Sequence, residues 1–270
     1  MAASRGNLIF IMWLTASILL WGRASFSETA ISEQTLTGDI VIEEMYQPGS
    51  GLPVGKIQSV RGEAIVFHRD PTVGYRIETG LPLYAGDIMR TRESAWILCR
   101  LIDGSHIVLT SKTTLTILKS SYNPSRKTSV TLLYLEYGGA RFKLNPMSEL
   151  SAYEYKVQTE KAFTLAREAD FAVQANPAAT EITAFEKSRL EVTSEAQPEE
   201  ISFLSDFQRI IISEEIISPT VETLSREDVE ILMTAFSAVP ARHIFSRRHK
   251  NEDRNPKTGD TLIEDDIVEE

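Results

Sequence analysis

The clearest alternation of apolar and polar positions in the chain lies between Gly86 and Leu109. Ala95, Ile97, Cys99 and Leu101 alternate with Trp96, Leu98, Arg100 and Ile102, and Ile107 and Leu109 resume the pattern after Asp103-Gly104. A period of two marks strands with one buried face. The Asp-Gly pair predicts a two-residue hairpin turn, because a connection of matching twist needs positive φ. Upstream, Gly55 to Phe67 predicts a strand pair or one bent strand, with Ile57, Val60, Ala64 and Val66 toward the core and Gly62 at the bend. Gly86-Asp87 marks a tight corner before the central hairpin.

Downstream, Thr114 to Leu118 is β-branched and Ser120 to Lys127 reads as a polar loop with an Asn-Pro turn. Ser129 to Tyr137 is apolar enough for a strand buried on both faces, ended by Gly138-Gly139 before Ala140 to Leu144 begins another. Short strands are expected over 153–157, 163–166, 171–175, 181–185, 189–193, 201–204 and 209–212. One helix is expected over 225–238: Ser225 and Asp228 resemble a capping box, and Val229, Leu232, Met233 and Phe236 form an apolar stripe. Many short strands and no helix–strand alternation predict an all-β sandwich or roll with one short C-terminal helix.

Composition narrows the setting. Of 270 residues, 42 % are hydrophobic and 24 % charged, enough for a real core. The formal charge of −10 argues against nucleic acid, which demands concentrated Lys and Arg. The single cysteine, Cys99, excludes an intrachain disulfide and fits a small buried hydrophobe. Arg5, the apolar run Leu8 to Trp21, and Ser25-Phe26-Ser27 together read as an export signal cleaved after Ser27. An uncleaved anchor is the alternative, and only then is membrane attachment expected. The expected organisation is a signal over 1–27, a spacer over 28–53, a β domain over 54–240 and a disordered charged tail over 241–270.

Four blocks carry a family resemblance: Val54 to Ala64, Ala85 to Thr91, Leu101 to Leu109, and Gly139-Ala-Arg-Phe142. In order and spacing they resemble the FecR-domain family. The frame continues in Val157-Gln-Thr159 and in Arg167 to Val173, although Glu160, Glu168 and Ala169 replace the family's Pro, Gly and Thr. The family-motif positions are Gly62, Gly86, Asp87, Asp103, Gly104, Ser105, Gly139, Arg167 and Phe171, and structural roles are expected for them. The resemblance implies an extracytoplasmic β domain of jelly-roll type that relays envelope signals in its best understood members. Together with the signal segment it implies a periplasmic protein of a Gram-negative bacterium, similar to stand-alone secreted members whose role is poorly defined; the partner expected for this chain is an envelope protein.

No catalytic inventory accompanies these features. His68, His106, His243 and His249 form no ligand-spaced pair, and no Gly-x-Ser-x-Gly, His-Glu-x-x-His or phosphate-binding glycine loop is present. No cofactor is expected, and the protein reads as a non-enzymatic binding, scaffolding or regulatory module. Trp96, Tyr134 and Tyr137 lie on expected strands, where core packing is the plainer role and a glycan platform, for peptidoglycan, the alternative.

Overall fold

The computed structural model describes residues 40–68, 70–145, 152–215 and 219–237. The expected signal segment with Ser27, the first part of the spacer, His243, His249 and the charged tail lie outside the described residues. The chain begins with β1 (Val41–Glu43), then β2 (Gly55–Arg61), β3 (Ala64–His68), β4 (Val73–Arg76), β5 (Pro82–Leu83) and β6 (Asp87–Thr91). The central hairpin is β7 (Trp96–Leu101) and β8 (His106–Leu109), followed by β9 (Thr114–Asn123) and the long β10 (Thr128–Lys143). After β11 (Ala152–Gln158) and β12 (Ala162–Glu168) come β13 (Asp170–Ala175), β14 (Ala179–Ala184), β15 (Arg189–Ser194) and β16 (Ile201–Leu204). The described chain closes with β17 (Gln208–Ser213), β18 (Glu222–Thr223) and α1 (Arg226–Ala235).

These strands form two sheets that share β10. One sheet runs β1-β4-β3-β6-β9-β10-β11-β12-β15-β16. The other runs β5-β2-β7-β8-β10-β13-β14-β17-β18. The first sheet takes Thr128–Tyr137 of β10 and the second takes Gly138–Lys143. The result is the expected all-β sandwich, in which the chain repeatedly leaves one sheet for the other at a corner. Between the sheets lies one continuous core in which Phe142 meets Phe171 at 5.1 Å and Tyr155 at 6.2 Å. Ala95, Ile97, Cys99, Leu101, Ile107 and Leu109 all face that core, as the alternation predicts.

Three local expectations are corrected. The β7–β8 connection is not a two-residue turn: Gly104 N–H donates to Leu101 O at 3.0 Å and Leu101 N–H to Ser105 O at 2.9 Å. Only Gly104, at φ +86, takes the left-handed region, so Asp103 is spared positive φ by a type I turn followed by one glycine. The polar run Ser120 to Asn123 continues β9 rather than forming a loop, because Ser120–Asn123 pair with Thr128–Thr131. Residues 128–143 are one bent strand with a single buried face, alternating through Ser129, Thr131, Leu133 and Leu135.

The bend of β10 explains Gly138-Gly139. Gly138 sits at φ +94, and a Cβ there would lie 2.5 Å from Lys112 O and 2.4 Å from Thr113 Oγ1. Gly139 has no positive φ, but a Cβ would approach Thr110 Oγ1 at 2.8 Å. Thr113 Oγ1 accepts from Gly139 N–H at 3.0 Å, and Thr91 Oγ1 accepts from Thr113 N–H at 2.8 Å. These threonines tie the corner between sheets to the kink. The helix forms as its sequence predicts, with the Ser225 hydroxyl accepting from Asp228 N–H at 3.2 Å. It packs Val229 and Phe236 against Ala172 and Phe185 on the outer face of the second sheet.

Candidate functional site

The family-motif positions fall at separate corners of the sandwich rather than converging. Gly62, at φ +75, turns β2 into β3, and Gly86, at φ +93, leads into β6. Asp87 opens β6, where register places it opposite His68 at the end of β3. His68 Nδ1 lies 2.7 Å from Asp87 Oδ1, and Asp87 Oδ2 accepts from Tyr84 N–H at 2.8 Å. Burial pushes the Asp87 carboxyl above its ordinary pKa, against the opposing pull of these two hydrogen bonds. The His68 ring is enclosed by Tyr46, Tyr75 and Tyr84 at centroid distances of 5.4, 5.4 and 5.7 Å. This pair locks a corner. Nothing in sequence spacing announces it, since the residues are 19 apart and meet only through strand pairing.

Asp103, Gly104 and Ser105 build the β7–β8 turn. Asp103 Oδ1 accepts from Ser105 N–H at 2.9 Å, and Asn145 Nδ2 donates to Asp103 O at 3.2 Å. Asp103 is buried, and burial raises its carboxyl pKa despite the Ser105 bond. Asp103 Oδ2 and the Tyr153 and Tyr155 hydroxyls are enclosed with no hydrogen-bond partner. Burial, and then the Asp103 charge, pushes both tyrosine hydroxyls upward, so they stay neutral.

Arg167 and Phe171 flank the corner from β12 to β13. The Arg167 guanidinium makes only an exposed contact to Glu191 at 3.7 Å, whereas Phe171 is fully buried. A register shift between Ala166 and Glu168 makes the corner a β-bulge in which no residue has positive φ. That is how Glu168 and Ala169 stand where the family has Gly and Thr. Glu160 in place of Pro is accommodated by Thr159, whose hydroxyl accepts from Ala162 N–H at 3.0 Å and closes the β11–β12 turn. The same corner carries a bidentate pair that spacing does not reveal: Arg141 Nε and Nη2 donate to the Asp170 oxygens at 2.7 and 2.8 Å.

The three aromatics do not form one platform. Trp96 faces outward from the second sheet, where its Nε1 donates to Phe236 O at 3.2 Å under α1. Tyr134 faces outward from the first sheet, on the opposite side of the sandwich, and Tyr137 lies at the kink. Among the described residues no group of three or more His, Cys, Asp or Glu could hold a metal ion, and no helix is long and apolar enough to cross a membrane. Burial raises the Cys99 thiol far above its ordinary pKa, which leaves it unreactive.

What the surface does offer is an edge. β16 pairs with β15 on one side only, and among the described residues no strand pairs with its other side. Its outward side chains Ile201 and Phe203 are 52 % and 68 % exposed. Phe207, in the turn that follows, is also exposed and sits at φ +61, a conformation that is costly for an aromatic residue. Most edge strands are protected by charge, proline or a covering element, and an exposed apolar edge is a template for pairing with another chain.

The described residues form an all-β sandwich with an exposed apolar edge at β16. Residues 87–188, which run from β6 through β14, match the family model described as FecR protein. No curated protein matches the chain. Two crystal structures of a protein assigned as an anti-sigma factor, from Parabacteroides distasonis ATCC 8503, are similar to it at 18 % identity. They cover 61 % of this chain and 72 % and 73 % of theirs, with TM-scores of 0.45 and 0.43.

Proposed function

We propose that this chain is a non-enzymatic regulatory module of the cell envelope that works by binding another protein along the free edge of β16. The exposed Ile201 and Phe203 on the free edge of β16 carry this reading, and the match to the FecR family model supports a regulatory context. A partner strand would complete the first sheet with backbone hydrogen bonds, while Phe203 and Phe207 would give the contact its side-chain selectivity. The apolar Leu8 to Trp21 run and Ser25-Phe26-Ser27 support export to the periplasm with cleavage at Ser27.

The test is affinity capture from a native envelope extract with wild type and an Ile201→Lys/Phe203→Lys variant. One envelope protein is expected at near-equal amounts with wild type and is lost with the variant, whose thermal midpoint is unchanged. Equal capture by both proteins refutes β16 as the contact. The N-terminal residue of the protein recovered from cells tests the location: Glu28 is expected, and an intact Met1 end would mean an uncleaved anchor.

A further inference from the structure

The outer face of the second sheet holds a row of basic side chains that neither the composition nor the linear sequence discloses. Strand register sets Lys56 of β2 directly opposite Arg100 of β7, Arg100 opposite His106 of β8, and His106 opposite Lys143 of β10. Paired residues in an antiparallel ladder share a face, so all four project from the same side, across four adjacent strands. With strands about 4.8 Å apart, the row is roughly 14 Å long. Lys56, Arg100 and Lys143 are exposed and His106 half-buried.

Like charges directly opposite one another destabilise a sheet. Among the described residues no carboxylate forms an ion pair with Lys56, Arg100 or Lys143. The nearest acid in the row, Asp170 opposite Lys143, has both oxygens engaged by Arg141. Burial first, and then the charges of Arg100 and Lys143, lower the pKa of His106 against an opposing pull from Asp103. In a chain of net charge −10, this is a local concentration of cations that form no ion pair among the described residues.

Two neighbouring features restrict what can lie on the row. At the β2 end, Lys56 and Arg100 flank a cleft of about 400 Å3 with aliphatic walls from Pro53, Pro82 and Ile102. Along the side, α1 packs on the same face: Val108, two residues on from His106, belongs to its apolar contact. A helix about 10 Å across rises beside the row, so a flat lipid surface does not reach all four cations together. A narrow extended chain does. The aliphatic cleft suits an apolar side chain next to acidic ones and has no aromatic floor for a sugar ring.

We propose that the Lys56–Arg100–His106–Lys143 row is a second binding site, which takes an acidic, extended polypeptide segment of a partner protein, with an apolar residue seated in the adjoining cleft. It deepens the reading of the chain as a protein-binding module, and it lies on the sheet that does not contain β16, so the two sites fail independently.

The test uses the full chain and a short fluorescein-labelled peptide of Glu and Leu, read by anisotropy, with the same peptide carrying Gln for Glu as control. Wild type is expected to bind the acidic peptide at least about tenfold more tightly than the control, with the preference falling as salt is added. Lys56→Gln/Arg100→Gln/Lys143→Gln is expected to lose the preference and keep or raise the thermal midpoint, because repulsion is removed. Lys119→Gln/Lys156→Gln, on the first sheet, is expected to bind like wild type. Equal binding by the triple variant overturns the proposal, as does a fall in its thermal midpoint, which would show the row to be structural. Binding to phosphatidylglycerol vesicles without binding to the peptide would assign the row to lipid and overturn it too. Failure of the β16 capture experiment leaves this assay and its outcome untouched.

Discussion

Two buried carboxyls, Asp87 and Asp103, show how single residues hold the corners of this sandwich, and they do so differently. Asp87 is matched by His68, with side-chain exposures of 2 % and 10 %. His68→Ala strands Asp87 Oδ1 without its partner, and the expected cost is about 2–3 kcal/mol by chemical denaturation. A loss below about 1 kcal/mol, the range of an ordinary exposed pair, would show that the contact contributes little. Among the described residues Asp103 forms no ion pair, and its folded-state pKa lies above the ordinary value because of burial. The folded protein therefore holds this proton more tightly than the unfolded chain does. That contribution is fully present below the ordinary carboxylate pKa and is lost as pH rises through the raised folded value. Asp103→Asn keeps an oxygen for the Ser105 N–H and removes the buried charge. Its thermal midpoint is expected to exceed that of wild type at pH 7, with the gain shrinking toward zero below about pH 4. A gain that does not change with pH would refute a titrating Asp103 as its source.

Elements were legible in this sequence wherever one face alternated cleanly, and illegible where a single strand serves two sheets. The β7–β8 hairpin, β16 and the capped helix α1 can be read from spacing, because each makes its decisive contacts within one local pattern. β10 cannot. Its two glycines look like a terminus, yet the strand continues through them because Gly138 takes a conformation closed to other residues and lets the chain pass beneath Thr113. The same limit hid the site: the cation row and the His68–Asp87 pair exist only through long-range register, which composition and periodicity do not encode. Gly138→Ala separates these ideas experimentally. The new Cβ would meet backbone of Lys112 and Thr113 at 2.5–2.6 Å in addition to adopting positive φ, and the expected cost is about 3 kcal/mol or more. Gly80→Ala, at φ +91 with open space around it, pays only the conformational penalty of about 1–2 kcal/mol. Equal losses at the two positions would mean that the kink in β10 is not under steric control.

At the scale of the described sandwich, both sheets are open at both ends among the described residues, and β10 sits in the middle of each. The first sheet ends in β1 and β16, the second in β5 and β18, all of them strands of four residues or fewer. β10 by contrast pairs with β9 and β11 over its first half and with β8 and β13 over its second. Among the described residues no pairing joins the ends, so opening from either edge breaks only the pairings outside it, while opening at β10 requires both sheets to separate. Native-state hydrogen exchange is therefore expected to show its highest protection along β10, where Leu133, Leu135, Ala140 and Phe142 are fully buried. Protection should fall outward through β9 and β12 and reach its lowest values in β1, β16 and β18. That gradient would leave β16 free to accept a partner strand without disturbing the centre of the molecule. A partner bound there should raise protection in β15 and β16 and leave β10 unchanged. Uniform protection across all strands would instead mean that the two sheets open as one cooperative unit, and that a contact at the edge acts on the whole domain.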